Sequence, residues 1–200
     1  MNLYIPSKPL KAEFSKKQSK FISYIRFCNS KSEFKSWLSQ IRKDHYDGSH
    51  ICWSYSIIEK EYCEYHSSDS GEPIGTAGRP ILNMLKSNNL VQTGLVVVRY
   101  FGGIKLGRKG LIKSYQDAAG KVINEKNFIV WVLKKKYTIK CPIEFYNIVI
   151  SVIKECGGII LKNKTSDLCY LDFEIIQANK EGLFNKIQLY TNKKSTFINI

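Results

Sequence analysis

The sequence predicts an α+β chain of two domains, residues 1–133 and 134–200, and three observations lead there. Strand-like and helix-like segments are intermixed with no internal repeat. The lysine run Lys134-Lys135-Lys136 marks a boundary. The part beyond it reads β-α-β-β-α-β, the order of the ferredoxin-like split unit, one sheet covered by two helices. At 200 residues the chain is long enough for one full-sized domain and a small one, each able to bury a core without disulfides or metal.

In the first domain, Phe21-Ile22-Ser23-Tyr24-Ile25-Arg26-Phe27 alternates and is rich in aromatic and β-branched residues, which predicts a strand. Ser30 and Glu33 have capping-box spacing, and Phe34, Trp37, Leu38 and Ile41 recur at one helical face, predicting a helix over 31–43. His50 to Ile58 and Glu61 to Ser67 read as a hairpin that turns at Glu59-Lys60. After breaks at Gly71, Pro73, Gly75 and Gly78, a short helix begins with Pro80 in its first turn, carries Ile81, Leu82 and Leu85, and stops at Asn88-Asn89. Leu95-Val96-Val97-Val98 is too short for a helix and reads as a strand buried on both faces. A loop with glycines at 102, 103, 107 and 110 leads into a helix over 110–125, with Leu111, Tyr115, Ala118 and Val122 at helical spacing, and Phe128 to Leu133 closes the domain as a strand.

Beyond the lysines, Tyr137 to Cys141 is a strand, and Ile143, Tyr146, Ile150 and Ile153 line a helix that Gly157-Gly158 terminates. Ile159 to Lys162 and Leu168 to Ile176 form a hairpin, the second strand turning Cys169, Leu171, Phe173 and Ile175 to one side. A helix with Leu183, Ile187 and Tyr190 precedes a last strand, Thr196 to Ile200.

The formal charge is +14, with 20 basic against 11 acidic residues in 1–133 and 11 against 6 in 134–200. Both halves therefore attract polyanions, RNA or ribosomal surfaces first among them. Against this, 26 of the 31 basic residues are Lys, beside 25 Ile and 13 Asn, the bias of an AT-rich genome, so clustering rather than net charge is the informative quantity. No stretch approaches the ~18 apolar residues of a membrane span, and Met1-Asn2-Leu3-Tyr4-Ile5-Pro6 has no leader character, so a cytoplasmic location and no membrane partner are expected. Six dispersed cysteines read as reduced thiols.

Two segments carry possible chemistry. From Arg99 to Gly110, a glycine-rich turn (Gly102, Gly103, Gly107) joins a buried strand to a helix start and carries Arg99, Lys105, Arg108 and Lys109, with Lys113 one turn on. Glycines allow close backbone approach and helix N-terminal amides favour an anion, which makes a phosphate or acidic-peptide cradle; the competing reading is a tight turn with solvated lysines. The segment fits neither a P-loop nor a dinucleotide fingerprint. From Ser67 to Pro80, Asp69 and Glu72 stand among Gly75, Thr76, Gly78 and Arg79. The two carboxylates act as an acid–base pair, hold a cation, cap loop backbone, or pair with Arg79 or Arg99 to hold the glycine loop open. At the hairpin, a turn at Glu59-Lys60 puts His50, Cys52 and Cys63 on one face and His66 on the other, opposite Trp53, so four zinc ligands do not converge. No nucleophile elbow supports a Ser-His-Asp set.

Ser68-Asp-Ser-Gly-Glu-Pro-Ile-Gly-Thr-Ala-Gly-Arg-Pro80 followed by Val96-Val-Val-Arg-Tyr-Phe-Gly-Gly-Ile-Lys-Leu-Gly107 resembles the IMPACT family in its bacterial YigZ-like branch, with weaker likeness at Ser19-Lys20-Phe21-Ile22 and His50-Ile51-Cys52. The resemblance implies a first domain similar to the second domain of a small-subunit ribosomal protein and a tail similar to a C-terminal domain of elongation factor G. Eukaryotic relatives regulate translation initiation. Here Ile51 stands where members commonly carry a second His, Ser70 replaces an Asp, and Arg108-Lys109 replaces small residues. The expected class is a non-enzymatic protein that contacts RNA or the ribosome, with no cofactor and no metal. The alternatives are a regulator that binds an acidic protein partner and an enzyme acting on a small phosphorylated or peptide substrate.

Overall fold

The structure is a computed structural model that describes residues 2–59, 62–125 and 127–199. It divides into two compact units, Met1–Trp131 and Val132–Ile200.

The first unit runs β1 (Leu3–Pro6), β2 (Leu10–Lys16), β3 (Ser19–Phe27), α1 (Lys31–Asp44), β4 (His50–Glu59), β5 (Tyr62–Ser68), α2 (Gly78–Ser87), β6 (Thr93–Tyr100), α3 (Gly107–Ile123) and β7 (Phe128–Trp131). Five strands form an antiparallel sheet in the order β2-β3-β6-β4-β5, and β1 pairs with β7. Strand β6 lies at its centre, and both of its faces are covered. Leu95 and Val97 join Phe21, Ile25 and Cys52 under α2 and α3, while Val96 and Val98 join Ile22 and Tyr55 under α1. This is why Leu95 to Val98 reads as an unbroken apolar run. Ser30 caps α1 by accepting the Glu33 N–H at 3.2 Å, and Glu33 in turn accepts from the Asn29 N–H at 2.9 Å.

Several expectations change. Strands β1 and β2 gave no clear sequence signal; β2 is an edge strand that alternates exposed and half-buried residues, so half its positions are polar. Helix α3 starts at Gly107, not 110, which moves Gly107, Arg108 and Lys109 from the loop into the first helical turn. The turn expected at Glu59-Lys60 falls partly on Lys60, which lies outside the described residues. Glu59 pairs with Tyr62, so Trp53 faces Ser68 and Tyr55 faces His66. The register differs from expectation by two residues, and a period of two leaves His66 on the face away from Cys52, as anticipated.

The second unit runs β8 (Lys134–Pro142), a 3-10 turn (Ile143–Phe145), α4 (Tyr146–Glu155), β9 (Ile159–Thr165), β10 (Leu168–Ile176), a second 3-10 turn (Gln177–Asn179), α5 (Lys180–Tyr190) and β11 (Thr196–Asn199). Its antiparallel sheet has the order β11-β8-β10-β9. Ile139, Cys141, Cys169, Leu171, Phe173 and Ile175 meet Val149, Ile153, Leu183 and Ile187 in its core. Lys134 to Lys136 belong to β8, paired with Ile176, Ile175 and Glu174, and do not form a connecting segment. Ile143 and Tyr190, read as core anchors, are 51% and 49% exposed because each sits at a helix end. Gly157, at φ 78°, closes α4, with the Gly158 N–H donating to Ile153 at 2.8 Å. Ile200 lies outside the described residues.

Candidate functional site

The two glycine-rich segments meet in the first unit, where the C-terminal end of β6 and the start of β4 lie beside the N-terminus of α3. Between them is a pocket of about 500 Å³. Glu72, Arg99 and His50 line it from inside, Pro73, Phe101, Leu106 and Leu111 give it apolar walls, and Lys105 and Arg108 stand along it.

Asp69 organises the first segment. Its Oδ2 accepts the Gly75 N–H at 2.8 Å, and its Oδ1 accepts the N–H groups of Ala77 and Gly78 at 2.9 and 2.8 Å. Ala77 and Gly78 begin α2, which has no side-chain cap of its own N-cap residue, so Asp69 supplies the missing acceptor from nine residues away. Burial pushes the Asp69 carboxyl up, but the three amides and nearby Arg108 outweigh it and hold it below its ordinary value of 3.8. Thr76 is fully buried and its hydroxyl donates to the Pro73 carbonyl at 2.6 Å. Gly78 is required by packing, since a Cβ there would lie 2.7 Å from the Ser68 carbonyl carbon. Gly75 adopts φ 77° in open space. Arg79 is exposed and has no partner among the described residues.

Glu72 is the centre of the site. Its side chain is 3% exposed, and Oε1 accepts from Arg99 Nη1 at 2.7 Å and from the Tyr115 hydroxyl at 2.9 Å. Arg99 is equally buried; its Nη2 reaches Ser19 Oγ at 3.4 Å, and its guanidinium lies 5.7 Å from the Phe21 ring centroid and 5.3 Å from that of Phe101. Arg99 is thus an internal strut instead of the outward cation of the cradle. Of the two pairings considered, with Arg79 or with Arg99, the structure forms the second. Burial, with Cys52 and Glu72 beside it, drives the Tyr115 hydroxyl far above its ordinary pKa, so it stays a proton donor to Glu72. Burial likewise pushes the Cys52 thiol up to about 12, and it donates to the Asp69 carbonyl at 2.9 Å.

The second segment is arranged differently. Gly102 packs against the β2–β3 turn, where a Cβ would fall 2.2 Å from the Gln18 carbonyl, so this glycine serves the chain's own backbone and not a ligand. Gly103 and Gly107, at φ 83° and 68°, have open space around them. No side chain caps α3 and no acid stands in its first turn. Lys105 and Lys109 are exposed and unpaired among the described residues. Arg108 donates to the Ile74 carbonyl at 2.9 Å, tying the two segments together, and Lys113 pairs with Asp117 at 2.8 Å, further along the helix.

Two contributors, Tyr115 and Ser19, are not singled out as site residues by the sequence, whereas His50, which the sequence places beside Asp69 and Glu72 only for an enzymatic reading, lines the pocket. Tyr115 falls on the helical spacing of ordinary core residues, which conceals its role. His50 Nδ1 lies 3.0 Å from the Ser70 carbonyl. Ser19 Oγ also accepts the Gly102 N–H at 3.3 Å, and its signal was the Ser19-Lys20-Phe21-Ile22 stretch. Among the described residues, no group of three or more His, Cys, Asp or Glu side chains is placed to hold a metal ion.

A family model described as the Impact N-terminal domain matches residues 17–123. The IMPACT family member YvyE of Bacillus subtilis (strain 168) is 39% identical over 119 residues, 60% of this chain and 52% of that protein. The IMPACT family member YigZ of Escherichia coli (strain K12) is 28% identical over 160 residues, 80% of this chain and 78% of that one. The match thus spans about half the length of the first relative and more of the second. A solved crystal structure of a hypothetical protein has the same fold, with TM-score 0.75 and 25% identity over 100% of this chain and 98% of its own.

Proposed function

Because this chain belongs to the IMPACT family through an Impact N-terminal domain over residues 17–123, we propose that its pocket end is a binding surface for RNA phosphates. The observation that supports this reading is the state of α3: an uncapped helix N-terminus, with Lys105, Arg108 and Lys109 around it and no acid in the first turn. First-turn amides and the helix dipole favour an anion, and the nearest cations add to the attraction. Asp69 and Glu72 serve as bracing, since their charges are already satisfied by backbone amides and by Arg99. The second unit offers a further contact: Tyr170 on β10 pairs across the sheet with Lys140 on one side and Lys164 on the other. An exposed aromatic flanked by lysines suits a single-stranded polyanion. Eukaryotic members of the family regulate translation initiation, and RNA of the translation machinery is the polyanion this reading favours.

A fluorescent single-stranded RNA titrated at several salt concentrations tests it. Lys105→Ala with Arg108→Ala should weaken binding about tenfold and flatten the salt slope by about 1.4, since each lost phosphate contact removes roughly 0.7 for a single strand. An unchanged slope and affinity would defeat the proposal.

A second reading, an acidic protein partner, is favoured by one observation: Ile74, Phe101 and Ile104 in the same two segments are 87%, 48% and 44% exposed. Under that reading, Ile74→Ser with Ile104→Ser, which removes apolar surface without adding charge, abolishes a nuclease-resistant complex while RNA affinity stays intact.

A further inference from the structure

We infer that the pocket is a subsite for a single guanine nucleotide, with the base inside and its phosphate at the N-terminus of α3. This rests on the reading that α3 takes a phosphate and adds what the interior takes.

The interior presents hydrogen-bond acceptors that the protein itself does not use. Both hydrogen bonds to the Glu72 carboxylate go to Oε1, and Oε2 accepts nothing from the described residues although the side chain is only 3% exposed. An ionised carboxylate has about four acceptor positions, and those of Oε2 remain available in the pocket that Glu72 lines. The Arg99 pair and the Tyr115 hydroxyl hold that carboxylate in place. His50 supplies a second acceptor. Its Nδ1 faces the Ser70 carbonyl, which only accepts, so Nδ1 is the donor, and in that tautomer Nε2 keeps its lone pair. Arg99 Nε, by contrast, is a buried donor with no acceptor among the described residues.

A ligand that satisfies this interior brings adjacent N–H donors. The walls ask for a flat apolar body: Pro73, Leu106 and Leu111 line the pocket, and the Phe101 ring, stacked near the Arg99 guanidinium, remains 48% exposed. The mouth asks for an anion, which Lys105, Arg108 and the α3 amides receive. A guanine nucleotide meets all three demands. Its N1–H and N2–H lie side by side, one to donate to Glu72 Oε2 and the other to His50 Nε2, whereas adenine turns an acceptor toward the same place and uracil offers one donor. A pocket of about 500 Å³ is of ligand size.

Calorimetric titration of the full chain with GMP, AMP, UMP and inorganic phosphate decides the matter. GMP should bind at least ~10-fold tighter than AMP or UMP, within the range that a two-donor base contact discriminates. Glu72→Gln should erase that preference while leaving phosphate affinity alone. Phe101→Ala, at an exposed ring that leaves the core intact, should weaken GMP by ~5-fold or more, the scale of a lost stacking contact. If Glu72→Gln fails to fold, Phe101→Ala and the base preference of the unaltered chain decide alone. Equal affinities for the three nucleotides, or none above phosphate, overturn the base subsite. In that case RNA binding that still depends on Lys105 and Arg108 leaves the phosphate cradle standing, and its absence removes both.

Discussion

Helices α2 and α3 both begin in the glycine-rich segments, a few residues from one another's loops, and their N-termini are opposites. The amides that open α2 are closed by the Asp69 carboxylate, which also ties down Gly75. Those that open α3 meet no acid, and the residues around them are cations. One helix has an internal anion and the other lacks one. The first segment is therefore mainly framework, with Asp69 and Glu72 Oε1 engaged within the fold and Glu72 Oε2 facing the pocket, and the second is contact surface. Substitutions in the first should cost stability, and those in the second should cost binding.

The largest effect expected from this division is at the buried pair. Arg99→Met leaves Glu72 without its counter-ion at 3% exposure, and removing one partner of a buried pair costs roughly 3–5 kcal/mol in chemical denaturation. Lys105→Ala and Lys109→Ala, at exposed unpaired positions, should stay within about 0.5 kcal/mol of the unaltered chain. A comparable loss at Lys105 would erase the distinction between framework and surface.

The next effect is at Asp69, and it depends on pH. Its folded-state pKa lies below 3.8, so its stabilisation is full above that value and is lost as pH falls through the folded value. Asp69→Asn should cost about 2 kcal/mol at neutral pH, since hydrogen bonds to a charged acceptor weaken when it becomes neutral. The gap between the two proteins should then close in the acid range below 3.8. A gap that stays constant into acid would mean that Asp69 contributes shape and not charge.

Much of this arrangement is legible in the sequence, and the parts that are not have physical reasons. The apolar run Leu95 to Val98 identifies the central strand because only a strand covered on both faces needs four consecutive apolar residues. The same strand explains why, of the two roles the sequence allows Arg99, the pairing with an acid is the one formed and the outward cation is not. Two residues beyond Val97, it shares Val97's face, toward α2 and α3, and the alternation of a strand predicts an inward arginine that must find an acid. The contact between Gly102 and Gln18 joins residues far apart in the chain, so local pattern gives no hint that this glycine is reserved for the protein's own backbone. The start of α3 was placed three residues late because Gly107 and Gly110 both read as loop, although Gly107 needs only its positive φ to open the helix.

The smallest effect on stability is also the sharpest test of the comparison: giving α3 the anion that α2 already has. Leu106 is the N-cap residue of α3, is half-buried, and lines the pocket. In Leu106→Asp the new carboxylate can accept first-turn amides, a gain of about 1 kcal/mol for a good N-cap, offset by lost apolar contact of similar size. Net stability should therefore change by less than about 1 kcal/mol. Binding should not be spared, because the new carboxylate occupies the amides and repels the phosphate from Lys105 and Arg108. RNA affinity should fall at least ~10-fold, with a flatter salt slope. Should Leu106→Asp bind RNA as tightly as the unaltered chain, the open end of α3 would be an ordinary helix terminus, and the contrast with α2 would have no bearing on function.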